Sequence, residues 1–224
     1  MTLATFEQTE PLGRRERKKR ATRLALKAAA LELVAERGFA NVTVEDIADA
    51  VDVSVRTFFN YFTSKEAAVV GEDPDLIEEM KELLVSLPPE VTPLEAVEAV
   101  IIARIRAIGE DLDHSGEDHT VWMRRLEVVK SQPEVLAAYT KHLAKLEQQL
   151  ADALLERLGG ADELRVYASL VTAAGVSAMR VVATCKGREG GTEALVASAQ
   201  GAFELLRSGL EPSPEHATTG DMLR

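Results

Sequence analysis

Between residues 14 and 210 glycine and proline are sparse, and where they occur they bracket apolar-periodic segments. Proline fixes φ and lacks a backbone N–H, so it fits the first turn of a helix and breaks one elsewhere. Pro74, Pro93 and Pro133 stand at such starts, while Pro88-Pro89, His114-Ser115-Gly116, Gly159-Gly160 and the stretch 187–191 punctuate. The spacing predicts helices over about Pro74–Leu87, Pro93–Leu112, Asp118–Ser131, Pro133–Leu158, Ala161–Lys186 and Thr192–Ser208. The fold class is therefore all-α, and 46% apolar residues in a chain of 224 suffice for a sizeable core.

The front of the chain follows a different rhythm. A helical pattern runs from Arg14 to about Arg37, with Leu24, Ala28, Leu31 and Ala35 expected on the buried face. Gly38 ends it as a C-terminal cap, and Phe39 packs back. Thr43 then precedes the apolar-periodic Val44, Ile47, Ala48 and Val51, with Asp46 three residues on: a capping box with Asp in place of Glu. Asp52-Val53-Ser54 makes a turn, Ser54 caps a second short helix from Val55 to about Phe62, and Ser64 caps a third from Lys65. Two short helices about a three- or four-residue turn form a helix-turn-helix pattern.

Four of the chain's ten aromatic residues sit in that second helix: Phe58, Phe59, Tyr61 and Phe62. On a helical wheel Phe58 and Phe62 share one face and close a small core, while Arg56 and Asn60 point away. Thr57 and Tyr61 flank one side and Phe59 the other. The outward strip of guanidinium, hydroxyl, amide and phenol can donate to phosphates or base edges. A helical hairpin whose rings only pack is the plainer alternative.

Charge favours the first reading. The net charge is −11, yet residues 14–65 hold eleven Lys/Arg against seven Asp/Glu, and residues 66–224 hold fifteen against twenty-eight. The run Arg14, Arg15, Lys18, Lys19 and Arg20 supplies candidate phosphate contacts beside the outward strip. No apolar signal core opens the chain and no eighteen-residue apolar run occurs, so the expected location is cytoplasmic. The lone Cys185 is expected to pack as a small hydrophobe. No cofactor, metal site or catalytic motif is predicted.

The segments TR-x-x-L (22–26), ALELVAERGF (30–39), TVEDIADAVDVS (43–54) and RTFFNYFTSKE (56–66) resemble the N-terminal domain of TetR-type transcriptional regulators. The resemblance implies that Val55, Arg56 and Thr57 read bases and that Asn60 lies against DNA. It also implies that Thr43, Tyr61 and Lys65 hold phosphates and that Phe58 and Phe62 are buried. Phe59 stands where many members have Tyr, Asp52 where many have Gly, and Val34 where Phe is frequent. The implied function is a sequence-specific DNA-binding regulator, a repressor released from its operator by a small-molecule effector. An activator of the same fold is the first alternative, and a helical protein-interaction scaffold or a metal-dependent enzyme the second.

The expected organisation is a flexible basic arm over 1–19, a helix-turn-helix domain over 20–75, an effector-binding and dimerisation domain over 76–210 and a loose tail over 211–224. The partners are duplex DNA with two-fold symmetry, an unknown effector and a second copy, with no membrane. The last two helices carry Ala168, Ser169, Ala173, Ala174, Gly175, Ser177 and Ala178, then Ala197, Ser198, Ala199, Gly201 and Ala202, and small residues there are expected to let two copies approach closely. Arg104, Trp122, Met123, Tyr139, Tyr167, Met179 and Arg180 are the candidate pocket residues.

Overall fold

The computed structural model describes residues 13–115, 127–186 and 191–210. The described chain divides into two compact units, one up to Glu72 and one from Asp73. Every regular element among the described residues is helical.

In the first unit α1 spans Arg14–Arg37 and ends at Gly38, whose φ of 78° suits a residue without Cβ. A 3-10 turn, Phe39–Asn41, leads to α2, Val44–Ala50. α3 is Val55–Phe59 and α4 is Lys65–Val70, closed by left-handed Gly71. Residues 14–19 are thus the first turns of α1, where the sequence suggests a flexible arm. α3 ends three residues before the expected Phe62, although the Phe62 N–H still donates to the Phe58 carbonyl at 3.0 Å.

The buried stripe of α1 corrects the sequence reading. Arg23, Leu26, Lys27, Ala30, Leu31 and Val34 are buried, whereas Leu24 and Ala28 are half-covered and Ala35 is exposed. The face is rotated by about 100°, one residue of helix, from the expected one. An apolar-only pattern skips Arg23 and Lys27, yet Arg23 opens the stripe and Lys27 lies within it.

In the second unit α5 spans Pro74–Ser86, α6 Pro93–Ser115, α7 residues 127–131, α8 Pro133–Arg157, α9 Arg165–Lys186 and α10 Gly191–Arg207. All three prolines stand at helix starts, as expected. Thr92 caps α6 in a second capping box, its N–H donating to Glu95 Oε2 at 2.9 Å. α5, α6, α9 and α8 form a closed ring of packed neighbours, and α10 packs on α6 and α9. Ile77, Leu84, Val97, Ile101, Leu150, Leu154, Val176 and Phe203 are among the buried side chains that fill it. Arg157, at the end of α8, donates to the carbonyls of Leu87, Pro88 and Val91, which fastens the α5–α6 turn. Gly175 is a close-approach position, because a Cβ there would collide with Val97 of α6 and crowd Phe203 of α10.

Candidate nucleic-acid interface

α3 is five residues long, too short to be stable alone. Its geometry comes from a side-chain cap at its start and rings beneath. Ser54 Oγ accepts from the Thr57 N–H at 3.1 Å and shares a 2.8 Å hydrogen bond with the Thr57 hydroxyl. Phe58 is wholly buried, its ring 5.7 Å from that of buried Phe62 and edge-on to Phe59 at 5.5 Å. On this base Arg56 and Asn60 are exposed, and Val55, Thr57 and Tyr61 are half-exposed. The predicted outward strip therefore exists as a surface. Phe59 belongs to it too, with 54% of its area open.

α2 enters beside it through a complete capping box. The Thr43 Oγ1 accepts from the Asp46 N–H at 3.1 Å, and Asp46 Oδ2 accepts from the Thr43 N–H at 2.8 Å and hydroxyl at 2.7 Å. The hydrogen bond from the Thr43 side chain, then that from its backbone, holds the Asp46 carboxyl below its ordinary value of 3.8. Asp52 takes the left-handed turn conformation, φ 54°.

The cations divide into two groups. Arg14, Arg15, Lys18 and Arg56 are exposed, and Lys19 and Arg20 are half-buried with partners of their own. Lys65 points inward: its Nζ donates to the Phe39 and Val42 carbonyls at 2.8 Å each and lies 4.0 Å from the Phe39 ring centroid. Arg23, which the sequence reading left unassigned, is 6% exposed, with its guanidinium about the rings of Tyr61 and Phe62 at 5.8 and 5.7 Å. Its signals in the sequence are the arginine of TR-x-x-L and its register, since it falls at i, i+3, i+7 with Leu26 and Ala30.

In the second unit the candidate pocket residues differ in exposure. Arg104, Tyr139 and Met179 are half-buried, and Arg104 and Tyr139 have partners of their own. Tyr167 and Arg180 are exposed on α9, a correction to their expected place in an enclosed lining. Long polar-tipped side chains favour an outward position unless a specific partner draws them in. Trp122, Met123, residues 1–12, the tail over 211–224 and the Cys185 side chain lie outside the described residues. No cluster of three metal-ligating side chains occurs among the described residues.

α9 leaves an apolar face uncovered. Val166 is 70% exposed and Leu170 65%, with Val181 exposed three turns further along. Ala173, Ala174 and Ser177 lie half-exposed between them. The expected small residues thus split: Ala168, Gly175 and Ala178 pack inward, while Ser169 on α9 and Ala197 and Gly201 on α10 are exposed. α9 is long and apolar enough to cross a membrane by length and composition, with a third of that stretch buried.

Comparison with known proteins places the chain among regulators of transcription in sequence and in fold. Residues 26–69 match the family model for bacterial regulatory proteins of the tetR family, and residues 91–211 match that of the MftR C-terminal domain. The HTH-type transcriptional regulator TcmR of Streptomyces glaucescens is 34% identical over 150 residues, 66% of this chain and 65% of that protein. The putative mycofactocin biosynthesis transcriptional regulator MftR of Mycobacterium tuberculosis is 29% identical over 132 residues, 58% of this chain and 63% of that protein. The chain therefore spans about two thirds of the length of these relatives. FadR of Bacillus subtilis, solved in complex with stearoyl-CoA, superposes with a TM-score of 0.52 at 21% identity over 84% of this chain and 99% of its own. The SmeT–triclosan complex superposes at 0.51 and 16% identity over 84% and 91%. At such identities the likeness is one of fold.

Proposed function

The chain belongs to the TetR family of bacterial regulatory proteins, and from that premise we propose that it is a homodimeric, sequence-specific repressor of transcription released from its operator by a small effector. The observation that carries this reading is the surface of α3, where Arg56 and Asn60 stand exposed over buried Phe58 and Phe62. Val55, Arg56, Thr57 and Asn60 read base edges in the major groove. Thr43, Tyr61 and the run Arg14, Arg15, Lys18, Lys19 and Arg20 hold phosphates. Lys65 joins that set through the N–H that the Phe39 and Val42 carbonyls leave open.

The uncovered face of α9, with exposed Ala197 and Gly201 of α10, meets the same face of a second copy. Two copies present two reading helices to half-sites about 34–36 Å apart, or a multiple of that spacing. The acidic body repels DNA, so only the basic end docks, and affinity falls steeply with salt. The protein works in the cytoplasm, where its operator is.

The effector is a predominantly apolar molecule. The second unit's interior is apolar, and Gln149 Oε1 is buried on α8 without a hydrogen-bond partner. FadR and SmeT, of like fold, were solved with stearoyl-CoA and triclosan. An effector that binds one arrangement of the paired reading heads more tightly lowers DNA affinity by that difference in binding energy.

Selection of bound fragments from random duplexes tests the reading. Enrichment of two-fold-symmetric half-sites, reduced by Arg56→Ala and Tyr61→Phe together, is the expected result. Absence of any enriched sequence at low salt refutes it.

A further inference from the structure

Phe58 and Phe62 are buried, but Phe59, between them in sequence, is 54% exposed. Among the described residues of the first unit it is the one large apolar side chain that stands exposed. Single exposed apolar residues are ordinary on a protein surface. The position of this one is not, because it borders the strip that carries exposed Arg56 and Asn60. Val55, one turn earlier on the same face, is half-exposed, so α3 carries an apolar ridge beside its polar one. On an ideal helix the Phe59 and Arg56 side chains leave the axis about 60° apart, and i, i+3 neighbours stand about 5–6 Å apart at Cβ. The Phe59 ring is also held from below. Wholly buried Phe58 meets it edge-on, with centroids 5.5 Å apart and planes at 90°.

We infer that Phe59, with Val55 beside it, is a specificity-determining residue that packs on the 5-methyl group of a thymine, within about two base pairs of a guanine that Arg56 reads. The inference rests on the DNA-binding reading above and adds base chemistry to it. The Phe59 ring has no N–H or O–H, so it offers a phosphate oxygen no hydrogen bond. In the major groove the thymine methyl is an apolar feature of a base edge, and apolar side chains select for it. An arginine there most often takes both acceptors of a guanine. Successive bases are about 3.4 Å apart along the duplex. Two side chains about 5–6 Å apart therefore address bases one or two steps from each other. Contact between ring and methyl removes apolar area of both partners from water, which discriminates thymine without using a charge.

Replacing thymine by deoxyuridine removes the methyl and keeps the pairing edge, and replacing guanine by 7-deazaguanine removes the N7 acceptor. The test is binding of the full chain to its selected operator with each thymine and guanine of the half-sites exchanged in turn. The unsubstituted protein, Phe59→Ala and Arg56→Ala are compared. One deoxyuridine exchange is expected to weaken the unsubstituted protein roughly fourfold per half-site, the share of one buried methyl. In Phe59→Ala that sensitivity falls below about twofold, and the salt slope stays unchanged because no phosphate contact is lost. The guanine whose N7 matters only while Arg56 is present lies within about two base pairs of that thymine. Three results overturn the inference. One is a Phe59→Ala loss that is equal on thymine and deoxyuridine, which puts the ring against the sugar-phosphate backbone. Another is the absence of any thymine sensitive to loss of its methyl. The third is a Phe59-dependent thymine farther than about two base pairs from the Arg56-dependent guanine. Should Phe59→Ala fail to fold, Phe59→Gln takes its place, a good helix former whose stem still covers Phe58. Absence of DNA binding by the unsubstituted chain counts against the functional reading itself, a separate outcome.

Discussion

α3 and α9 both expose a face, but they prepare it in opposite ways. α3 is five residues long and presents guanidinium, hydroxyl, amide and phenol groups from a base of buried rings. α9 is twenty-two residues long and presents Val166, Leu170 and Val181. A polar strip gains little from burial and much from opposite charge, so its binding is directional and salt-sensitive. An apolar face gains in proportion to area removed from water and is nearly indifferent to salt. Length follows from this difference. A long helix is anchored by its own packed side, whereas the short one must be held by caps and by neighbours distant in sequence.

The largest expected effect comes from disabling the apolar face. Leu170→Glu should convert the dimer to monomer in sedimentation and reduce operator affinity by about 10²- to 10⁴-fold through loss of the second reading head. Dimerisation of the unsubstituted chain should be unmoved by salt that abolishes DNA binding. Phe58→Ala attacks the base of the polar strip instead. It should destabilise the first unit by about 3–5 kcal/mol in denaturant titration and leave the transition of the second unit in place. Arg56→Ala touches only the strip, so stability should hold while operator discrimination falls by about 1–3 kcal/mol in competition binding.

Smaller effects probe the caps. Thr43→Ala should cost about 0.5–2 kcal/mol, read by denaturation of the first unit. The same cap carries a pH signature. The folded-state pKa of Asp46 lies below its unfolded value, so its contribution is present above 3.8 and lost as the pH falls through the depressed value. Acid titration of the first unit should show this loss, and Thr43→Ala should remove it. Smallest of all, Asp52→Gly relieves a left-handed φ of 54° at some cost in chain entropy, for a net gain below about 1 kcal/mol in unfolding free energy.

Legibility in the sequence depended on how far each interaction reaches. The capping boxes at Thr43 and Thr92 join residues three apart, and the first was readable from spacing alone. The helix starts at Pro74, Pro93 and Pro133 were equally local. α1 was placed correctly in sequence yet misjudged in rotation, because two of its buried positions carry cations that only their surroundings can cover. The expected pocket members Tyr167 and Arg180 turned out exposed, since helix periodicity alone does not identify which neighbour covers which side.

From order of residues alone came the all-helical class, the helix starts at Pro74, Pro93 and Pro133, the helix-turn-helix and the pairing of a polar rim with buried Phe58 and Phe62. Each depends on contacts within a turn or so of one helix, where covalent geometry leaves few choices. Packing in three dimensions decided the rest. It turned Lys65 and Arg23 inward, set Gly175 against Val97 and Phe203, and left Val166 and Leu170 in the open. Whether a charge or a methyl group faces water is a property of neighbours tens of residues away, and local pattern carries no record of them.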